Sequence, residues 1–221
     1  MTPDQRSYAA EFIGSAFLLM TIVGSGIMGQ DLADGQLGAA LLPHSLAIGG
    51  MLFVLITLLG PVSGAHLNPA VTLVFALGHE IRLSKACIYV AAQIAGAVLG
   101  TLVCHVMFDL PVLQTSEKLR SGVGQWVAES VATFGLLFVI LGGIRTRPGA
   151  IPALVGLYIM AALWFTASTS FANPAVTLAR MLTDTFSGIR PADAPMFLIA
   201  QVIGACAAIP IAAMIWGKPG R

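Results

Sequence analysis

The hexapeptide Asn-Pro-Ala-Val-Thr-Leu occurs twice in this chain, at 68–73 and again at 173–178, 105 positions later. Proline suits the first residue of a helix, where its missing N–H would have no partner, and an asparagine just before it can cap that helix. Each copy therefore predicts a helix start. Each also follows a Gly/Ser/Thr-rich break, Pro61-Val-Ser-Gly-Ala-His-Leu and Thr166-Ala-Ser-Thr-Ser-Phe-Ala, and opens a short apolar piece, 69–78 and 174–183. Neither piece reaches the roughly 20 residues a bilayer crossing requires. Irregular backbone at membrane depth is tolerated only where protein buries it or water lines it. These pieces read as re-entrant half-helices, and paired broken helices point to a site at the bilayer midplane.

The membrane itself follows from composition. Hydrophobic residues make up 57% of the chain, charged residues 10%, and mean hydropathy is +0.89, whereas a soluble domain carries about a quarter charged residues. The N-terminus lacks the basic region and short apolar core of a cleaved signal, so the first apolar run is expected to remain as a span. Hydropathy places spans at about 8–29, 39–60, 84–107, 124–144, 151–170 and 194–216. The expected class is an all-α integral membrane protein: six transmembrane helices plus two half-helices in one channel domain over 1–221.

The repeat extends beyond the hexapeptides. Ala10-Glu11 opens span one and Ala128-Glu129 opens span four; Ala92-Gln93-Ile94-Ala95-Gly96-Ala97 in span three parallels Ala200-Gln201-Val202-Ile203-Gly204-Ala205 in span six. The first repeat covers about 8–107 and the second about 124–216. Three spans per half put the halves in opposite orientations, an inverted repeat whose half-helices enter from opposite faces. With the N-terminus inside, seven basic residues (Arg6, Arg82, Lys85, Arg145, Arg147, Lys218 and Arg221) fall on the cytoplasmic side and four (Lys118, Arg120, Arg180 and Arg190) outside. That asymmetry predicts a multi-pass cell-membrane protein with both termini cytoplasmic.

Net charge of +1 suggests no nucleic-acid partner. No phosphate loop, zinc-ligand spacing or nucleophile motif is found, so neither enzyme, metal nor cofactor is expected. Cys87, Cys104 and Cys206 all lie in apolar runs and read as embedded thiols without a disulfide framework. Glu11 and Glu129 are ionisable groups in spans, which by default suggest function; their symmetric placement favours buried carboxylates that accept N–H groups from the re-entrant loop of their own half. Gln93 and Gln201 are expected to tie spans to neighbouring backbone. The G-x-x-x-G at Gly96 and Gly100 permits close helix contact, though in a chain with 24 glycines the match is weak.

The paired Asn68-Pro69-Ala70 and Asn173-Pro174-Ala175, the Ser63-Gly64-Ala65-His66 before the first, and the Glu opening each half together resemble the aquaporin, or major intrinsic protein, family over nearly the whole chain. The resemblance implies a passive channel, usually a homotetramer with one pore per subunit, with the Asn68 and Asn173 amides turned into the pore and His66 on its wall. Its partners would be water, small neutral solutes and the lipid bilayer. The half-helix geometry agrees: each N-terminus concentrates roughly half a positive charge, so cations and protons meet a positive potential where neutral molecules do not.

One position departs from the family pattern. Most members follow the second Asn-Pro-Ala with Arg; here it is Val176. Spacing from the motifs assigns the rest of the outer constriction to Ile48, Ala161 and Ser170. Such a ring is wider, less polar and uncharged, which favours polyols, urea or metalloid hydroxides such as arsenous acid over strict water selectivity. A mainly water-conducting pore and, from another class, an ion-coupled secondary transporter are the alternatives. Arg180 and His44 each lie one helical turn outward of this ring, about 5–6 Å away, and define an alternative, displaced filter. Against that, Arg180 could instead pair with lipid or with an acidic neighbour such as Asp184, and His44 could sit at the headgroup boundary.

Overall fold

The computed structural model describes residues 1–33 and 36–217, the side chain of Leu37 aside. Lys218 and Arg221, two of the cations counted for orientation, lie outside the described residues. Six long helices are apolar enough to cross a membrane: α1 (Pro3–Leu32), α2 (Leu37–Ser63), α4 (Leu83–Met107), α5 (Val123–Thr146), α6 (Ile151–Phe165, entered through a 3-10 turn Pro148–Ala150) and α8 (Ala194–Trp216). Two short ones, α3 (Pro69–Leu77) and α7 (Pro174–Arg180), begin at the repeated prolines.

Two boundaries differ from the hydropathy reading by five residues. Helix α1 starts five residues early because Thr2 and Gln5 form a reciprocal capping box around Pro3, with Gln5 N donating to Thr2 Oγ1 at 3.2 Å and Thr2 N to Gln5 Oε1 at 2.8 Å. The fifth span ends at Phe165 and not at 170. Beyond it the side chains favour turns over helix, and Thr169, Ser170 and Ala172 take positive φ. Residues 166–170 thus belong to the re-entrant loop.

The two halves pack alike. Helix α1 lies along α4 and α2, α5 lies along α8 and α6, and α2 crosses α6 at the junction. Small residues set these distances. Gly96 and Gly100 leave no room for a Cβ against the carbonyls of Phe12 and Ala16, nor does Gly204 against Ser130. The weak G-x-x-x-G signal therefore marks real backbone contact, with a counterpart in the second half. At the α2–α6 crossing the approach is reciprocal: a Cβ on Gly49 would lie 2.8 Å from the Gly156 carbonyl, and one on Gly156 2.6 Å from that of Gly49. Large apolar side chains such as Phe17, Leu58, Leu157 and Ile203 face outward, as a bilayer solvent requires.

Candidate functional site

Each half-helix is suspended from a buried carboxylate. Glu11 and Glu129 are both 0% exposed. Glu11 accepts the backbone N–H of His66 at 2.9 Å and of Leu67 at 2.7 Å, and the Ser63 hydroxyl at 2.6 Å. Glu129 accepts the N–H of Phe171 at 2.8 Å and of Ala172 at 3.0 Å. A glutamine completes each set: Gln93 Nε2 bridges Glu11 and Thr72 at 2.7 and 3.0 Å, and Gln201 Nε2 bridges Glu129 and Thr177 at 2.6 and 2.8 Å. Each carboxylate thus receives charge-assisted bonds from the loop of its own half, and the glutamines bond side chains where backbone was expected.

These bonds hold a strained backbone. Ala65 and Leu67 in the first loop, and Ser170 and Ala172 in the second, adopt φ between +47 and +49°, a conformation costing about 1–3 kcal/mol for a residue with a side chain. Strain of this kind persists where the surroundings over-determine it, and here the carboxylate bonds do so.

The two asparagines then lock the halves together. Asn68 Oδ1 caps α3 through Ala70 N at 2.8 Å, while its Nδ2 donates to the Ala172 carbonyl of the other loop at 2.8 Å. Asn173 mirrors it, capping through Ala175 N at 2.9 Å and donating to the Leu67 carbonyl at 2.8 Å. An amide carries two N–H donors, so each asparagine keeps one after the crossed bond. Both residues line a cavity of about 260 Å³ that passes this junction.

The cavity wall is largely hydrocarbon and follows the repeat. Leu18 and Ile22 of α1 correspond to Leu136 and Ile140 of α5; Ile48, Leu52 and Ile56 of α2 correspond to Val155, Ile159 and Leu163 of α6. Polar groups are confined to one stripe formed by the two loops, the asparagines, His66, Ser170 and Arg180. The Ser170 hydroxyl is buried without a partner among the described residues.

Of the residues assigned to the outer constriction, Ile48, Ser170 and Val176 border the cavity. Ala161 does not: it is exposed on the outer face of α6 with Leu157, Trp164 and Phe165. Cavity-facing residues on α6 recur every fourth position (Ile151, Val155, Ile159, Leu163), which puts position 161 on the far side of a 3.6-residue turn. Leu163 is the α6 residue that borders the cavity near this end of the helix. His44 is also off the cavity, buried with Nδ1 2.8 Å from Ser25 Oγ and its ring edge-on to Phe186 at 5.4 Å.

Arg180 does border the cavity and is 3% exposed. Its Nε donates to the Ser187 carbonyl, its guanidinium lies 3.4 Å from the centre of the Phe171 ring, and among the described residues it has no carboxylate partner. Asp184 instead accepts the Glu117 N–H at 3.0 Å. Sequence reading passed over a second cation here. Arg120, from the α4–α5 connection, lies 4.9 Å from the same ring and donates to the carbonyls of Gly188 at 2.7 Å, Ser168 at 3.2 Å and Phe186 at 3.4 Å. Burial pushes Arg120 down to about 10. Burial, with Arg120 and Arg180 nearby, pushes Lys118 down to about 8; its ammonium donates to the Phe186 carbonyl at 2.6 Å and lies over that ring. Only the basic character of this connection was visible in the sequence.

At the opposite end His66 and Phe75 border both the cavity and a polar vestibule of about 510 Å³, lined also by Asp4, Tyr8, Glu80, Arg82 and Lys85. His66 packs on Phe75 and Tyr89 at 4.7 and 5.4 Å, and its Nδ1 lies 3.1 Å from Thr72 Oγ1.

Two interlocked half-helices beside a cavity lined by both halves agree with the comparisons. The family model described as major intrinsic protein matches residues 2–170 and 150–219. The chain belongs to that family. It is 55% identical over 207 residues to aquaglyceroporin AqpS of Rhizobium meliloti (strain 1021), covering 93% of this chain and 88% of that one. It is 35% identical to the probable aquaporin TIP1-2 of Oryza sativa subsp. japonica, over 79% and 74% of the two chains. Among solved structures it is similar to the aquaglyceroporin from Plasmodium falciparum, with a TM-score of 0.73 and 24% identity over 96% of this chain and 99% of that one; at that identity the likeness speaks for the fold. The protein is accordingly a multi-pass membrane channel for small solutes and water, and not an enzyme.

Proposed function

We propose that this channel conducts small uncharged solutes, with metalloid hydroxides such as arsenous acid ahead of glycerol-like polyols and urea, and water beside them, while excluding ions and protons. What supports the reading is that Ile48, Leu163 and Val176 border the cavity together with the Ser170 hydroxyl, with no charge among these four. An apolar wall with one polar stripe matches solutes that carry hydroxyls on one side and little charge. The name of the AqpS relative, an aquaglyceroporin, points the same way.

Ion exclusion rests on the two opposed helix N-termini at the asparagine pair. Coupled transport is disfavoured because Glu11 and Glu129 are occupied by backbone and glutamine donors and do not border the cavity. In this reading one channel domain forms one pore, four copies form the assembly, and both termini face the cytoplasm, so that Arg180 marks the outer mouth.

Stopped-flow light scattering on proteoliposomes with water, glycerol, urea and arsenous acid tests it. Val176→Arg should cut glycerol and arsenous acid flux several-fold more than water flux. Unchanged solute flux in folded Val176→Arg, or steady Na⁺, K⁺ or H⁺ currents in planar bilayers, would overturn the proposal.

A further inference from the structure

The Arg180 end of the cavity gathers three cations, none of them in an ion pair among the described residues, while Glu129 and Asp184 act on them only through space. Arg120, Arg180 and Lys118 converge on Phe171 and Phe186, yet the ion pairs among the described residues are elsewhere, between Lys85 and Asp4 and between Arg190 and Asp193. Carbonyl oxygens satisfy the hydrogen-bonding of Arg120, and its charge is opposed only at a distance, by Glu129. Glu129, the buried carboxylate of this half, has its oxygens taken by Phe171, Ala172 and Gln201, and the oxygens of Asp193 by Arg120 N at 2.9 Å and Arg190.

Two groups at this end remain open toward the cavity. Arg180 engages the protein through Nε, and no acceptor is found for its terminal amino groups among the described residues. Ser170 is 6% exposed, and its hydroxyl, unpartnered, borders the same cavity. A guanidinium presents parallel N–H donors that match two oxygens of one acid group, and a serine hydroxyl adds a third donor.

We propose that Arg180 and Ser170, backed by the charges of Arg120 and Lys118, form a seat for one small monovalent oxyanion, a carboxylate or sulfonate, at this mouth. Arg180 and Ser170 would touch the anion; Arg120 and Lys118 would act through the field they add. An occupied seat obstructs the mouth, so such anions inhibit passage of neutral solutes. The inhibition, though not the seat itself, rests on the conduction reading above.

Methanesulfonate is a suitable probe because it is small, permanently charged and slow to cross lipid. Two readouts keep the claims apart: thermal unfolding of the purified full-length channel, and glycerol flux in proteoliposomes, each in sodium methanesulfonate against equimolar sodium chloride. A ligand that binds only the folded state raises the unfolding midpoint, and near its dissociation constant, with half the seats filled, flux should fall about twofold. Both effects should weaken in Ser170→Ala and in Arg180→Lys, which keeps the charge and loses the fork; should Arg180→Lys fail to fold, Ser170→Ala carries the test alone. Equal effects of chloride and methanesulfonate, or a midpoint shift undiminished in Ser170→Ala, would overturn the seat, as would a shift accompanied by unaltered glycerol flux in a conducting channel. A methanesulfonate-specific shift in a protein that conducts no glycerol would uphold the seat and refute the conduction reading instead.

Discussion

The two half-channels follow one plan as far as the asparagine pair and diverge at the mouths. His66, Phe75 and Tyr89 in the first half take the places that Phe171, Arg180 and Phe197 take in the second, and the stacking contacts match: 4.7 and 5.4 Å around His66, 3.4 and 5.1 Å around Phe171. What changes is which partner is polar. In the first half a histidine sits among aromatic rings; in the second a phenylalanine sits among arginines. The shared scaffold holds a strained loop from a carboxylate, and it tolerates this exchange because the carboxylate bonds backbone N–H groups, which every residue type except proline supplies. Symmetry is therefore strict in the backbone and free in the side chains facing the ends.

Glutamine at either carboxylate position gives the largest expected effect and strikes the shared scaffold. Glu11→Gln and Glu129→Gln each turn one acceptor oxygen into a donor facing N–H groups. Leaving buried donors unsatisfied costs ~1–3 kcal/mol apiece. Both variants should lose most of their folded yield in detergent, to a similar extent. Thermal midpoints differing widely between the two, measured side by side, would break the equivalence of the halves.

A smaller effect should separate the mouths. Arg120→Met removes the side-chain bonds to the carbonyls of Gly188, Ser168 and Phe186, and losing hydrogen bonds to a charged group costs about 1.5–3 kcal/mol each before relaxation. Tyr89→Phe at the other mouth removes a single neutral bond, to the Ser63 carbonyl at 2.9 Å, worth about 1 kcal/mol. Unfolding midpoints should fall more for Arg120→Met, and its solute-to-water flux ratio should shift while that of Tyr89→Phe stays near the parent value. Equal losses would mean that Arg120 is no more than a surface cation.

What the sequence revealed follows from how local each signal is. Half-helix starts need only Asn and Pro in adjacent positions, so both were placed to within a residue. The roles of Glu11 and Glu129 came from their matched positions in two repeats, which is again visible in one dimension. Ala161 was misplaced because counting back from Asn173 assumes a regular path, while the loop between runs through left-handed residues at Thr169, Ser170 and Ala172. His44 was drawn toward the pore by its distance from Ile48, yet four residues along a helix does not settle which neighbour claims the ring, and Ser25 of α1 does so. Arg120 was visible only as one of the outside cations, and its place at the mouth could not be found: its partners lie 48 to 68 positions away along the chain, in a connection whose path no periodicity encodes. His105 is a similar case, joining α4 to Val112 and Thr183 at 2.8 and 2.9 Å and so fixing that connection beside the mouth.

The smallest expected effect concerns Lys118 and distinguishes the mouths by pH. With its folded value pushed down from 10.5 to about 8 by burial and by Arg120 and Arg180, the folded channel releases this proton before the unfolded chain does. Below pH 8 both states hold the charge, and its burial penalty is constant. Between about 8 and 10.5 the unfolded state binds more protons, so this group makes stability rise with pH. Unfolding midpoints of the parent channel and of Lys118→Met, taken from pH 7 to pH 10, should therefore differ most at pH 7, where the variant is relieved of a crowded cation, and should converge at high pH. The same titration removes one of the three charges at this mouth, so a flux that depends on that charge should change over the same interval and be flat in Lys118→Met. Parallel curves for the two proteins would show that Lys118 keeps its ordinary value, and that its ammonium is held in open water and not against Phe186.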